Sequence, residues 1–143
     1  MYVPTWEGGS PAAFDLAVTS PQRADIVASA AREAGAAATH YEGVKRNYLQ
    51  TADVCASQGI SFVPMVAETS GGWGPTGLKT ISKLAKRKAL ITEQSASVVF
   101  SHLLESLCVA IRRANARAVL KRSQGHMAEI SPLLLSAAAA MVD

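Results

Sequence analysis

Cysteine is scarce in this 143-residue chain, and histidine nearly as scarce. Cys55 and Cys108 lie far apart with no Cys-x-x-Cys context, and His40, His102 and His126 are scattered. That supply argues against a zinc site and for a reduced, intracellular chain. With so few histidines, no Ser/His/Asp arrangement for nucleophilic catalysis can be assembled. Long apolar runs are missing too: the tail segment LLLSAAAAMV is too short to span a bilayer, and the start does not read as a signal peptide. No internal repeat is present. What remains is a chain about half apolar, with charged residues at 17%. At this length that is enough for one domain with a real core, and nothing reads as disorder over most of it.

The net charge of +3 hides an asymmetry. Through Pro75, four basic residues (Arg23, Arg32, Lys45, Arg46) meet seven acidic ones; from Thr76 onward ten basic residues meet four acidic ones. A basic C-terminal half is compatible with a polyanionic partner, and equally with a solvated basic helix face.

The chain opens as a hairpin: YVPTW, a turn at EGGSP, then AAFDLAVT. Starting directly in a strand reads as a fragment of something longer. In the second run Phe14, Leu16 and Val18 alternate with Ala13, Asp15 and Ala17, so Asp15 is expected to point away from the apolar face. From about Gln22 to Ser57 the composition favours helix, with Gly35 as a break. ISFVPMVA (60–67) reads as a third strand whose unbroken apolar character suggests an interior position, although Pro64 argues for an edge or a bulge. Two further helices follow. The first places Lys79, Lys83 and Lys86 on one face, and the second, from about Glu93 to Arg122, spaces Arg113, Arg117 and Lys121 one turn apart before Gln124-Gly125 ends it. The expectation is an α/β (α+β) domain over 1–123, with a mixed sheet of three to four strands in 1–74 and basic helices in 75–123. An apolar tail over 124–143 completes it.

ETSGGWGPTGLKT (68–80) approaches the spacing of a mononucleotide phosphate loop, in which backbone N–H groups wrap the phosphates and a lysine reaches them. Leu78 intervenes before Lys79-Thr80 and moves the lysine by about 100° around the helix. Pro75 removes a donor. A strand-to-helix connection, with Pro75 in the first turn and Trp73 over the sheet, is the preferred reading. A nucleotide-binding protein stays as a minor alternative.

Asp15 is the carboxylate to explain, because a charge in an apolar strand needs solvent, a basic partner or a metal. Glu42 and Lys45 share a helical face, with Tyr48 one turn on. An aspartate on a strand with a glutamate and lysine on the next helix could hold a divalent cation and orient water for phosphodiester hydrolysis. Glu42/Lys45 as an ordinary helical ion pair remains the alternative.

Four segments, VPTWEGGSPAAFDLAVTSP, AGAAATHYEGVKRNY, FVPMVAETSGGWG and RRANARAVLKRS, together resemble the C-terminal region of reverse-transcriptase-bearing retroelement proteins. In non-LTR retroelements that region is similar to restriction-like endonucleases of the PD-(D/E)XK superfamily. The resemblance implies a restriction-endonuclease-like fold and Mg2+-dependent DNA cleavage. Asp15 matches the second acid and metal ligand, and Lys45 the lysine shifted onto the following helix, with Tyr48 in a Lys-x-x-Tyr run. Glu42 is a possible assistant among the catalytic candidates, without a family role. Lys79, Lys83, Lys86, Arg113 and Arg117 would contact DNA phosphates. DNA and the parent reverse transcriptase polypeptide are the implied partners, with no membrane, and the nucleus is the implied place of action. The family's first aspartate would fall before Met1, and Asn47 stands where a second basic residue is common. The resemblance therefore leaves two outcomes, a cleaving domain or a non-catalytic nucleic-acid-binding remnant.

Overall fold

A computed structural model of the chain describes residues 1–139, with side chains through Ser123. Three strands, β1 (Tyr2–Val3), β2 (Ala12–Thr19) and β3 (Ser61–Glu68), combine with five helices: α1 (Val27–Ala30), α2 (Ala36–Asn47), α3 (Thr51–Ser57), α4 (Pro75–Thr92) and α5 (Ala96–Ala139). The sheet order is β1-β2-β3, with β1 antiparallel and β3 parallel to β2. The protein is thus a mixed α/β domain on a small open sheet.

The opening hairpin is shorter than its sequence pattern. β1 pairs only Tyr2 with Ala13 and Val3 with Ala12, and past Pro4 the chain leaves the sheet for a 3-10 turn at Glu7–Gly9. Trp6 leaves the strand and packs edge-on against Phe14, with ring centroids 4.9 Å apart. The long helical stretch is likewise divided. Gly35 sits at φ +83°, where an added Cβ would lie 3.0 Å from the Trp73 carbonyl oxygen, and Leu49 and Gln50 turn the chain between α2 and α3 with φ of 49° and 54°.

Strand alternation separates two packed faces. On one, Ala12 and Phe14 of β2 join Met65 and Ala67 of β3, Trp6, Trp73 and Ile81, and α5 adds Phe100, Leu103, Leu104, Cys108 and Ile111. A second cluster of Ala85, Ala89 and Val99 joins α4 to α5. The other face carries Pro64 and Val66, both buried, and is covered by α2. There the buried Ala37 and Ala38 keep the helix surface small. Pro64 lies on an edge strand, as its chemistry requires. Neighbouring odd-numbered positions bond toward β2 (Ser61 N–H to Pro11 O, Thr69 N–H to Thr19 O), so the missing N–H of Pro64 faces the outer edge.

α5 does not stop at Gln124-Gly125 but runs through them. One glycine inside a helix costs about 1 kcal/mol and imposes no stop. The apolar tail expected over 124–143 falls outside the residues whose side chains are described. Among the described residues, no helix is long and apolar enough to cross a membrane.

Candidate functional site

The glycine loop is a binding loop, but the anions it holds belong to the protein. Glu42, on α2 and 3% exposed, accepts hydrogen bonds from Thr76 N–H through Oε2 and Gly77 N–H through Oε1, both at 3.0 Å. These are donors of the first turn of α4, where Pro75 sits at the start and the N-cap Gly74 has no side chain to offer. A carboxylate there satisfies orphan N–H groups and meets the positive end of the helix dipole. Glu68, at the end of β3, does the same for α2: its Oε1 accepts from Ala37 N–H at 3.0 Å and Ala38 N–H at 3.3 Å, while Ser70 donates to Oε2.

The two contacts explain the glycines. A Cβ on Gly72 would lie 2.6 Å from Glu68 Oε2, and one on Gly74 would overlap the Glu42 carboxylate. A Cβ on Gly77 would lie 2.9 Å from the Trp73 ring. Of the two glycines whose spacing imitates a phosphate loop, Gly72 leaves room for the Glu68 carboxylate and Gly77 for the Trp73 ring, with Gly74 between them leaving room for Glu42. A phosphate at the N-terminus of α4 would have to displace Glu42 from the same donors.

Asp15 and Lys45 meet. Asp15 lies on the face of β2 opposite Phe14, and α2 crosses that face. Lys45 Nζ is 2.9 Å from Asp15 Oδ2, with the side chains 25% and 36% exposed respectively. The hydrogen bond to Asp15 raises the Lys45 pKa above its ordinary value, against a smaller opposing effect of burial. Lys45 is therefore a fixed ammonium at neutral pH, able to stabilise negative charge and unable to act as a base. Tyr41 stands beside it, its ring centroid 5.7 Å from Nζ. Tyr48, one turn on, is 64% exposed.

Glu42 shares α2 with Lys45 but is turned toward α4, with both oxygens occupied. The Mg2+ implied by the resemblance needs several oxygen ligands. Among the described residues no group of three or more Asp, Glu, His or Cys side chains converges. The one carboxylate at the candidate centre, Asp15, is held by an ammonium. These residues do not fit a magnesium site.

The basic residues fall on solvent faces. At 100° per residue, Lys79, Lys83 and Lys86 occupy one arc of α4, opposite Gly77, Ile81 and Ala85. Lys83 is bound to Glu7. Lys79 and Lys86 are exposed and make no salt bridge among the described residues. Arg113 and Arg117 on α5 are in the same condition, turned away from Leu104, Cys108 and Ile111. Their neighbour Arg112 instead donates to the Ser70 carbonyl at 3.0 Å. Glu68 is the residue that sequence reasoning passed over, and Gly72 was its signal.

No protein-family model matches this chain, and no curated protein or solved structure matches it either.

Proposed function

We propose that this chain is a nucleic-acid-binding domain of restriction-endonuclease-like descent, related to the C-terminal region of retroelement reverse transcriptase proteins. In this reading it grips the phosphate backbone without assembling a cleavage centre. The observation that carries the proposal is the division of labour among its charges. Among the described residues Lys79, Lys86, Arg113 and Arg117 stand exposed without acidic partners on two packed helices, whereas Asp15, Glu42 and Glu68 are all engaged within the fold. Unpaired cations on a helix face bind phosphates by releasing condensed counterions, a mode that reads no sequence. The descent rests on the four sequence segments quoted above.

A second reading, a Mg2+-dependent endonuclease, is favoured by one fact: Asp15 and Lys45, the two residues that correspond to the family's acid and lysine, converge at 2.9 Å. Incubating supercoiled plasmid with the protein and Mg2+ separates the two. The binding reading expects a mobility shift without nicks. Metal-dependent nicking that disappears in Asp15→Ala would overturn it in favour of the enzyme.

A further inference from the structure

The packing of the fold asks for no glycine at position 43. Gly43 lies inside α2, where glycine costs about 1 kcal/mol relative to alanine. Every other described glycine either adopts a positive φ or has a neighbour that a Cβ would meet, whereas a Cβ on Gly43 would find nothing within 4 Å. The space it leaves is the floor of an open groove of about 500 Å³ lined by His40, Gly43, Val44, Asn47 and Tyr48, a size typical of small-ligand sites. His40, Gly43, Val44 and Asn47 recur at helical spacing on the side of α2 opposite Ala38, Glu42 and Lys45, so the groove faces away from the sheet. Tyr48 stands at one end. His40 stands at the other, about 12 Å away at the helical rise per residue. On the flank nearest α4, Arg46 donates to Thr76 Oγ1 at 2.8 Å. Lys79 is one turn on from Thr76, so Arg46 carries the cationic arc of α4 to the rim of the groove.

We propose that this groove takes an unpaired base of a single strand whose phosphates lie along Arg46 and Lys79, an inference that rests on the nucleic-acid reading above. The lining selects a flat polar ring. Val44 is its one aliphatic side chain, while Tyr48 and His40 offer ring faces on which any base can stack. The Asn47 amide supplies both a donor and an acceptor for the edge of that base. Gly43 keeps the floor low enough for a ring to enter, and the helical cost of glycine is then offset in the complex. A duplex holds its bases stacked and paired, so it meets the cations of α4 and α5 but leaves the groove empty. The protein thus prefers exposed bases over bare phosphate without preferring one base sequence, because stacking tolerates every base.

Fluorescence anisotropy of the full chain with three labelled probes tests the proposal: a thymidine oligonucleotide, an abasic oligonucleotide of the same length, and a duplex. The abasic probe keeps the phosphates and lacks the bases. The wild type should bind the thymidine probe about five- to 150-fold more tightly than the abasic one, the range of one stacked base. Tyr48→Ala should remove that ratio and Tyr48→Phe should keep it, with duplex affinity unchanged in both. Gly43→Leu should also remove the ratio while raising the urea midpoint or leaving it in place, since leucine favours helix over glycine. Loss of binding together with a gain in stability is not what a purely structural glycine would give. Tyr48 is 64% exposed, so Tyr48→Ala decides the matter even where Gly43→Leu folds poorly. Equal affinity of the wild type for thymidine and abasic probes overturns the groove, as does a ratio that survives Tyr48→Ala; in either case duplex binding leaves the basic helices standing. Failure to bind any of the three probes overturns both.

Discussion

Replacing Glu42 and Gly74, singly and together, probes whether the glycine loop is shaped around an internal carboxylate. Glu42→Ala deletes two charge-assisted hydrogen bonds, worth roughly 1.5–3 kcal/mol each, and strands two N–H groups in the first turn of α4. Relief of the desolvation of a buried carboxylate offsets part of this. The net loss is expected at about 3 kcal/mol. Gly74→Ala arrives at a similar loss by another route. The backbone there, at φ −69° and ψ 159°, suits alanine, so the penalty is the collision of the new Cβ with Glu42. Once Glu42 is alanine, that collision no longer exists. The double variant should therefore be no less stable than Glu42→Ala alone, a coupling of about 2–3 kcal/mol between residues far apart in sequence. Urea unfolding followed by the fluorescence of Trp6 and Trp73 reads this. A loss of about 3 kcal/mol moves the midpoint by about 1.5 M at an m-value of about 2 kcal/mol/M. Simple additivity, with the double variant losing the sum, would refute the reasoning.

Two further outcomes follow from the same geometry. Lys45→Met should cost about 1 kcal/mol, the usual scale of a partly exposed ion pair. Because Asp15 raises the Lys45 pKa, that contribution is full below the unfolded lysine's value of about 10.4 and is lost as the pH rises through the higher folded value. Denaturation midpoints of wild type and variant should thus differ by a constant amount at neutral pH and converge in strong alkali. ATP, titrated while Trp73 fluorescence is recorded, should give no saturable change, since Glu42 already occupies the N–H groups a phosphate would use.

Local chemistry made much of the fold legible in the sequence. The alternation around Asp15 placed it opposite Phe14, Gly35 broke the helical stretch, and Pro64 marked an edge. What escaped were contacts made across the fold. Glu42 reaches donors 34 and 35 residues away, and Glu68 reaches donors 30 and 31 residues away, distances at which no periodicity connects the partners. The glycines at 72 and 74 did announce a close approach; a sequence motif cannot say whether the approaching anion is a nucleotide or a glutamate. The pairing of Asp15 with Lys45 was open to reading because strand and helix phases each turned one residue inward. Leu16 and Val18 continue the apolar alternation begun at Phe14 and yet are 61% and 54% exposed, which the alternation alone does not announce.

The most direct test of the central claim is the salt dependence of binding to duplex DNA, measured by fluorescence anisotropy for the wild type and for Lys79→Ala, Lys86→Ala, Arg113→Ala and Arg117→Ala. Backbone binding through α4 and α5 predicts that log K falls linearly with log salt. Each substitution at a contacted phosphate should reduce the slope by about 0.9, equally on unrelated DNA sequences. No measurable DNA affinity at low salt, or an affinity unmoved by all four substitutions, would contradict it.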